Sequence, residues 1–224
     1  MASPRAQRTR TPLDRDRIVA AAIEFADTEG LEALSMRRLA KALGFEVMSL
    51  YNHVANKDDL IEAMVDAACA EVNPPIQDDW RADLRVTAID LHKALREHRW
   101  ATHHWPWAFP GPHRWRLAER LLTSLHGSGL SPDLADLGFH TIVNHVVGFS
   151  HLASGYAKAP PEDEGRARFA REVDIAAHPG LARHGDYHAG PRGAARPDEF
   201  EFVLDLILDQ LDHEAPAADP RPDT

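Results

Sequence analysis

Apolar residues recur at intervals of three and four along most of this chain, a spacing that places them on one face of an α-helix. Asp14 stands just before the first such run, over residues 18–25, and Ser35 stands before the second. Both residue types are favoured as helix N-caps, and Gly44 after the second run is a favourable stop. Strict alternation of apolar and polar residues is almost absent. The pattern therefore predicts an all-α fold.

The periodicity continues through the rest of the chain. Asn56 predicts the start of another helix, which the Asn-Pro-Pro sequence at 73–75 ends because proline cannot continue a helix. Residues 159–197 are rich in Pro, Gly, Ala, Arg and His, so we expect mostly loop there, with one helix near 163–176. The remaining helices are predicted over residues 80–99, 112–126, 131–156 and 198–213.

Composition excludes several classes of protein. The chain has 224 residues, 44% of them hydrophobic, which is enough to bury a core. It contains no apolar run of about 18 residues, so we expect no membrane partner. The basic N-terminus lacks the apolar segment of a secretory signal. The single cysteine, Cys69, excludes an internal disulfide and a multi-cysteine zinc site, and we expect a cytoplasmic protein.

The charge is spread unevenly along the chain. The formal net charge is −10. Residues 1–57 nevertheless hold nine Lys and Arg against seven Asp and Glu, whereas the remainder holds sixteen against twenty-eight. The acidity therefore belongs to the second part, and the first part stays compatible with a nucleic-acid partner.

The two short helices around Gly44 form a candidate helix-turn-helix. Such a motif needs a small residue where the helices cross, here Ala40, and a glycine where the turn requires positive φ. With Leu50 and Val54 packed inward, the rest of residues 47–53 presents short, apolar or hydrogen-bonding side chains outward. A helix in the major groove of DNA needs such a face. The solvated face of a plain helical hairpin, which is the alternative, would be richer in Glu and Lys.

Residues 13–72 resemble the DNA-binding domain of the TetR family of repressors along their whole length. The most specific segments are SMRRLAKALG (35–44) and SLYNHVANKDDL (49–60). The resemblance implies a three-helix DNA-binding domain followed by a larger helical domain. The predicted organisation is a disordered basic arm (1–12), the helix-turn-helix domain (13–72), a regulatory, ligand-binding and dimerisation domain (76–213) and a disordered tail (214–224).

The same resemblance implies which residues contact double-stranded operator DNA. Arg37, Val47 and Met48 would face base edges, and Tyr51 would contact a base methyl group or a phosphate. Val47 and Met48 replace a polar pair that is frequent in tetracycline repressors, which implies a different operator sequence. The residues that would hold phosphates are Ser49, Asn52, His53 and Lys57.

The C-terminal part, including EHRWATHH (97–104), is similar to the regulatory domain of tetracycline repressors. That resemblance implies a drug bound with magnesium through a histidine and, via water, an acidic residue. The matching position here is Trp105, beside His103 and His104, and no Asp or Glu lies between residues 137 and 161. We therefore predict a ligand that binds without a metal or another cofactor.

All five tryptophans lie between residues 80 and 115, most of them in the run WATHHWPWAFPGPHRW (100–115). This run is either ordinary core or the wall of an apolar ligand pocket with a few polar groups. On the helix 131–156, a shared face of polar residues suggests a pocket or a dimer interface; the two histidines on it are about 16 Å apart, too far for one metal ion. The candidate ligand-binding residues are Leu91, Trp100, His103, His104, Trp105, Trp107, Phe109, Trp115, His140, Asn144 and His151.

Three classes of function compete. An enzyme is disfavoured because the chain has no G-x-S-x-G, H-E-x-x-H, P-loop or dinucleotide fingerprint. An architectural DNA binder would not need a second domain rich in aromatic residues and prolines. We therefore predict a ligand-responsive transcriptional regulator, a repressor that a small hydrophobic or aromatic molecule releases from a palindromic operator.

A homodimer is expected because one recognition helix reads few base pairs, so specific binding needs two half-sites about one helical turn apart. The helices 131–156 and 198–213 are the predicted dimer helices, which would form a four-helix interface with their symmetry mates. On the first of them, the face proposed for pairing carries Ile142, Val146, Phe149 and Ala153.

Overall fold

The computed structural model describes residues 12–156, 162–189 and 198–215. Every regular element within these residues is helical, which confirms the predicted all-α class. Short 3-10 turns at Leu31–Ala33, Cys69–Glu71 and Ile175–Ala177 accompany the α-helices. The helices are α1 (Arg15–Glu29), α2 (Met36–Leu43), α3 (Val47–Tyr51), α4 (Lys57–Ala68), α5 (Trp80–Glu97), α6 (Arg99–His104), α7 (Pro112–Gly127), α8 (Pro132–Tyr156), α9 (Glu162–Glu172), α10 (Pro179–Ala189) and α11 (Glu199–Glu214).

The predicted helix ends are confirmed near the N-terminus. Asp14, Ser35 and Asn56 each accept a backbone N–H of the first turn of α1, α2 and α4, at 2.8, 3.3 and 2.9 Å. Gly30 and Gly44 end α1 and α2 with φ of 88° and 75°, a region that residues with a Cβ adopt at a cost.

Two stretches differ from the predicted pattern. The segment 159–197, expected to be mostly loop with one helix near 163–176, contains both α9 and α10. Pro179 is the first residue of α10, a position where its fixed φ and missing N–H favour a helix. The predicted helix 80–99 is interrupted at His98, after which α6 begins. Almost all of the predicted arm (1–12) and of the predicted tail (214–224) lies outside the described residues.

The chain forms two compact units. The N-terminal unit comprises the described residues up to Asn73 together with Glu97–Glu119; the C-terminal unit comprises Pro74–Arg96 and the described residues from Arg120 onward. The break between Asn73 and Pro74 lies within the predicted boundary at residues 72–76, but residues 97–119 group with the N-terminal unit because α6 packs on α4 and α1. The aromatic run 100–115 is thus part of the same unit as the helix-turn-helix.

The core of the N-terminal unit locks α2 and α3 together. Leu39, Leu50, Val54 and Leu60 are each no more than 1% exposed, as the helical periodicity requires. Burying one such side chain stabilises a fold by about 1.5–3 kcal/mol. Ala40, also buried, leaves room for α3 to approach α2 closely.

In the C-terminal unit, α8 packs on α11. Ile142 and Val146, which the sequence suggested for a dimer interface, are buried inside this unit, so α8 turns that face toward its own chain. Arg85 on α5 pairs with Glu201 and Asp205 on α11 at 2.6 and 2.8 Å. No helix among the described residues is both long enough and apolar enough to cross a membrane.

Candidate nucleic-acid interface and effector region

The turn between α2 and α3 fixes which side of α3 faces outward. Gly44 takes the left-handed conformation, and the N–H of Phe45 bonds to the carbonyl of Ala40 at 2.9 Å, so the chain turns sharply after α2. Leu50 then points into the core with 0% of its surface exposed. Because α3 has fewer than two turns, the burial of this one residue leaves the opposite face of the helix exposed for contacts outside the chain.

The exposed face of α3 is apolar and hydrogen-bonding, as expected for a helix that reads DNA. Met48 is 71% exposed and Tyr51 is 41% exposed, and Asn52 beside them is also exposed. Arg37 is exposed on α2. The half-buried members of the predicted DNA-contact set are Val47, Ser49, His53 and Lys57. None of the eight residues is held inside the core, so all of them can contribute to an interface.

An ion pair that sequence reasoning missed lies behind this face. Arg15, the first residue of α1, donates to the carboxylate of Asp59 at 2.6 and 3.1 Å and to the carbonyl of His53 at 3.0 Å. The Asp59 carboxylate also accepts the N–H of Ala55 at 2.7 Å. The spacing Asn56-x-x-Asp59 resembles a capping box and marks the start of α4, but it gives no sign of the partner Arg15.

A second missed group connects α4 to the start of α7. Asp66 is 7% exposed, and its carboxylate accepts the N–H groups of His113 and Arg114 at 3.3 and 2.9 Å. These are orphan donors of the first turn of α7, where a negative charge is favourable. A Cβ placed on Gly111 would come within 2.5 Å of the Asp66 carboxyl carbon, so this approach depends on glycine. No sequence motif signals such a long-range cap.

A buried histidine joins three segments of the N-terminal unit. His98 Nδ1 lies 3.0 Å from a carboxylate oxygen of Asp27 on α1, and its Nε2 lies 3.3 Å from Glu71. Trp100 Nε1 donates to Asp27 at 2.7 Å. Burial alone would lower the pKa of His98, but the hydrogen bonds to Asp27 and Glu71 outweigh it and raise this pKa above its ordinary value of 6.5. The contacts with Asp27 and Glu71 thus favour the imidazolium form of His98, which connects the start of α6 to α1 and to the turn after α4.

The remaining ligand candidates of the aromatic run are spread over the N-terminal unit. Trp107, Phe109 and Trp115 are exposed, as is His103. Phe109 borders a groove of about 580 Å³ between α1, α4 and residues 109–113.

Two further candidates of the run are half-buried. The guanidinium of Arg114 lies 4.2 Å from the ring centre of Trp105. His104 borders a cavity of about 230 Å³ that it shares with Lys57. Burial and, secondarily, His103 lower the pKa of His104, so it is neutral near pH 7. These two side chains therefore face groups of their own unit.

The C-terminal unit holds the other candidates in two different environments. Leu91 is 1% exposed on α5, one turn after Thr87, whose hydroxyl is buried and has no hydrogen-bond partner within the part of the chain that the structure describes. The polar face of α8, predicted for a pocket or a dimer interface, carries His140, Asn144 and His151, and all three are exposed.

The buried polar group on α8 is Ser150, which the sequence analysis did not single out. His92 Nδ1 lies 2.8 Å from Ser150 Oγ, and its ring stacks on Phe200 at 3.9 Å between ring centres. Burial and, secondarily, Arg96 lower the pKa of His92 to about 4, so the ring is neutral. Since Ser150 donates its proton to the Val146 carbonyl at 2.7 Å, Nδ1 of His92 is the donor between them. Across the described residues, no group of three His, Cys, Asp or Glu side chains lies close enough to hold a metal ion.

Family models match both parts of this architecture. Residues 18–64 match the model of bacterial regulatory proteins of the tetR family, and residues 73–214 match the tetracycline repressor-like C-terminal domain. The chain belongs to the TetR family of transcriptional regulators. TetR-family proteins are DNA-binding regulators rather than enzymes, so the comparisons confirm both the predicted class and the expectation of no catalytic function.

Curated relatives and solved structures similar to this chain are also transcriptional regulators. The chain is 41% identical over 96 residues to an HTH-type transcriptional regulator of Saccharopolyspora erythraea, a match over 42% of this chain and 41% of that protein. It is 38% identical over 141 residues to the HTH-type transcriptional repressor DrrR1 of Streptomyces coeruleorubidus, over 61% of this chain and 52% of that protein. The chain thus spans about half the length of these relatives.

Among solved structures, the chain resembles the TetR-family protein ActR of Streptomyces coelicolor. The ActR complex with (S)-DNPA has a TM-score of 0.73 and 28% identity, covering 92% of this chain and 100% of that one. The ActR complex with actinorhodin has a TM-score of 0.74 and 29% identity, covering 92% and 99%. The likeness therefore extends over both units of this TetR-family chain.

Proposed function

We propose that this TetR-family protein is a repressor that binds a palindromic operator as a homodimer and leaves it when a small hydrophobic or aromatic molecule binds. The observation that carries the DNA-binding part is the exposed face of α3. Met48 and Tyr51 are large side chains exposed next to each other on one short helix, beside the hydrogen-bonding groups of Ser49 and Asn52, and such a contiguous face suits an interaction surface. In a major groove the same side chains contact thymine methyl groups, while Asn52 and Ser49 bond to phosphates.

The assignment of base and phosphate contacts is tested with two single variants. Arg37→Ala should cost about 1–3 kcal/mol on the preferred duplex and relax the choice of base at particular positions. Lys57→Ala should weaken binding to all duplexes alike and reduce the salt dependence by about one phosphate contact. Binding is measured by fluorescence anisotropy on duplexes selected from a random library. Equal losses on every duplex for both variants would refute the assignment.

The homodimer is supported by apolar residues that the chain leaves in solvent. On α8 these are Leu137 and Leu152, and on α11 they are Phe202 and Leu206, each more than half exposed. At Gly148, near the middle of α8, no other helix or side chain of the described ranges comes within 4 Å of the position where a Cβ would stand, so a partner helix can approach closely there. We infer that the dimer uses this outward face of α8 and α11, rather than the buried face with Ile142.

Each unit contains residues that would suit a small aromatic or hydrophobic effector. In the C-terminal unit, the Thr87 hydroxyl near Leu91 is buried and has no hydrogen-bond partner among the described residues, so a ligand atom could satisfy it. In the N-terminal unit, the exposed indole of Trp107 and the ring of Phe109 offer surfaces for stacking. ActR, at 28–29% identity, has been solved with (S)-DNPA and with actinorhodin, which supports a small-molecule effector here.

The effector proposal is tested by tryptophan fluorescence. A compound found by thermal-shift screening should change the emission strongly if it lies against the aromatic run, whereas operator DNA should change it weakly. Trp105→Ala and Trp107→Ala should weaken the compound, and operator DNA should weaken it by the same factor by which the compound weakens DNA. A saturable compound that leaves emission unchanged and tolerates both substitutions would place the effector away from the run.

A further inference from the structure

The guanidinium of Arg15 reaches from the start of α1 to the end of α3. It donates to the carbonyl of His53, two residues past α3, and to both carboxylate oxygens of Asp59 on α4. One side chain therefore contacts both the residues that follow the candidate recognition helix α3 and the next helix, α4. A planar guanidinium makes this set of bonds because its five donors point in fixed directions.

The segment between α3 and α4 is held by hydrogen bonds at three of its residues. The carbonyl of His53 accepts a bond from Arg15, and the N–H of Ala55 donates to the Asp59 carboxylate. The side chain of Asn56 accepts the N–H of Asp59 at 2.9 Å. In contrast, α3 itself has five residues and no side-chain N-cap hydrogen bond. A helix this short has little stability of its own, so its direction depends on its packing through Leu50 and on the groups that hold its ends.

The contact between Arg15 and Asp59 favours the charged form of both side chains. The hydrogen bond to Asp59 raises the pKa of Arg15, and the same bond, with the N–H of Ala55, holds the pKa of Asp59 below its ordinary value. The Arg15 side chain is 44% exposed and that of Asp59 is 28% exposed. The pair is thus an accessible ion pair at the surface rather than part of the apolar core.

We propose that Arg15 and Asp59 are positioning residues, which fix the angle of α3 and so determine how well the protein tells its operator from other DNA. This inference rests on the proposed DNA-binding function. It differs from the simple alternative in which Arg15 is a phosphate contact. A phosphate contact adds affinity for every sequence, whereas a misaligned recognition helix loses only the base contacts.

Two variants separate these alternatives because neither lowers the positive charge. Arg15→Lys keeps the charge but cannot span two carboxylate oxygens and a carbonyl in one plane. Asp59→Asn leaves Arg15 intact and makes the unit more positive by one charge. Each should lower affinity for the duplex that the wild type selects from a random library by about tenfold, and leave affinity for a scrambled duplex unchanged or higher. Amide hydrogen exchange over residues 49–55 should be faster in both variants.

A matched control is available at the other end of α1. Glu29→Gln breaks the 2.5 Å pair with Arg38, with the same change of charge as Asp59→Asn, but touches nothing in α3. It should keep the wild-type ratio of selected to scrambled affinity. If Asp59→Asn binds both duplexes more tightly at an unchanged ratio, or if Arg15→Lys keeps the ratio, the inference is overturned. If the wild type itself selects no duplex, the proposed function fails first.

Discussion

At the residue scale, a single carboxylate connects α4 of the DNA-binding part to the start of α7. Asp66 on α4 is buried and caps α7 by accepting two backbone N–H groups, and Gly111 lets it come close enough to do so. A buried carboxylate is tolerated only where such donors compensate its lost hydration. The pairing explains why a glycine stands between two prolines in the sequence FPGPH.

Gly111→Ala should destabilise the protein by about 1–3 kcal/mol, because the new methyl group would displace a carboxylate that is held by two hydrogen bonds. Gly127→Ala is the matched control, since among the described residues no side chain or other helix lies within 4 Å of the position of its Cβ, and the substitution should be neutral or stabilising. Both are measured by urea unfolding followed by circular dichroism. Equal midpoints for the two variants would contradict the role of Gly111.

His98 should make the stability of the N-terminal unit depend on pH. Its folded pKa is raised above 6.5, so its contribution is fully present below pH 6.5 and is lost as the pH rises through the folded pKa. The stability difference between wild type and His98→Gln should therefore be largest in acid and shrink toward alkaline pH. In an Asp27→Asn background, which removes the main partner, this pH dependence should flatten. A difference that stays constant with pH would refute the assignment.

At the scale of the element, the sequence predicts where most helices begin and end, because capping is local. Asp14, Ser35 and Asn56 bond to N–H groups within three residues, so residue type and spacing were sufficient to place them. The pair Arg15–Asp59 joins residues 44 apart, and Trp100 and Asp27 are 73 apart. Neither helical periodicity nor a sequence motif indicates contacts between residues so far apart in the chain. The packing of α6 on α4 is tertiary in the same way.

Asn56→Ala should cost about 1 kcal/mol by removing the side-chain cap of α4. The loss should exceed that of Asn73→Ala, an exposed asparagine in the connection before α5. Thermal unfolding of both variants at one protein concentration gives the comparison. Because the capped turn also contains Asp59, Asn56→Ala should lower operator affinity as well, whereas Asn73→Ala should not. Identical melting temperatures and affinities for the two would show that the cap is dispensable.

At the scale of the whole molecule, the exposed apolar residues divide by role. Met48 and Tyr51 belong to the face proposed for DNA, and Leu152 and Leu206 to the face proposed for a second copy. The two roles are coupled, because two half-sites of a palindrome double the number of base contacts only if the two recognition helices are held at a fixed spacing. A monomer would keep the same α3 face but bind each half-site separately and weakly.

Leu152→Glu and Leu206→Glu together should convert the dimer to a monomer without unfolding it. Both side chains are more than half exposed in one chain, so the carboxylates stay hydrated in the monomer, but dimerisation would bury them without partners. Sedimentation velocity at micromolar concentration should show a single species of about half the wild-type mass, with unchanged helix content by circular dichroism. Affinity for the full palindrome should fall to that of one half-site. Ile76→Glu, at an 85% exposed apolar residue outside both helices, is the control and should leave mass and affinity unchanged. A double variant that still sediments as a dimer would move the interface to another surface.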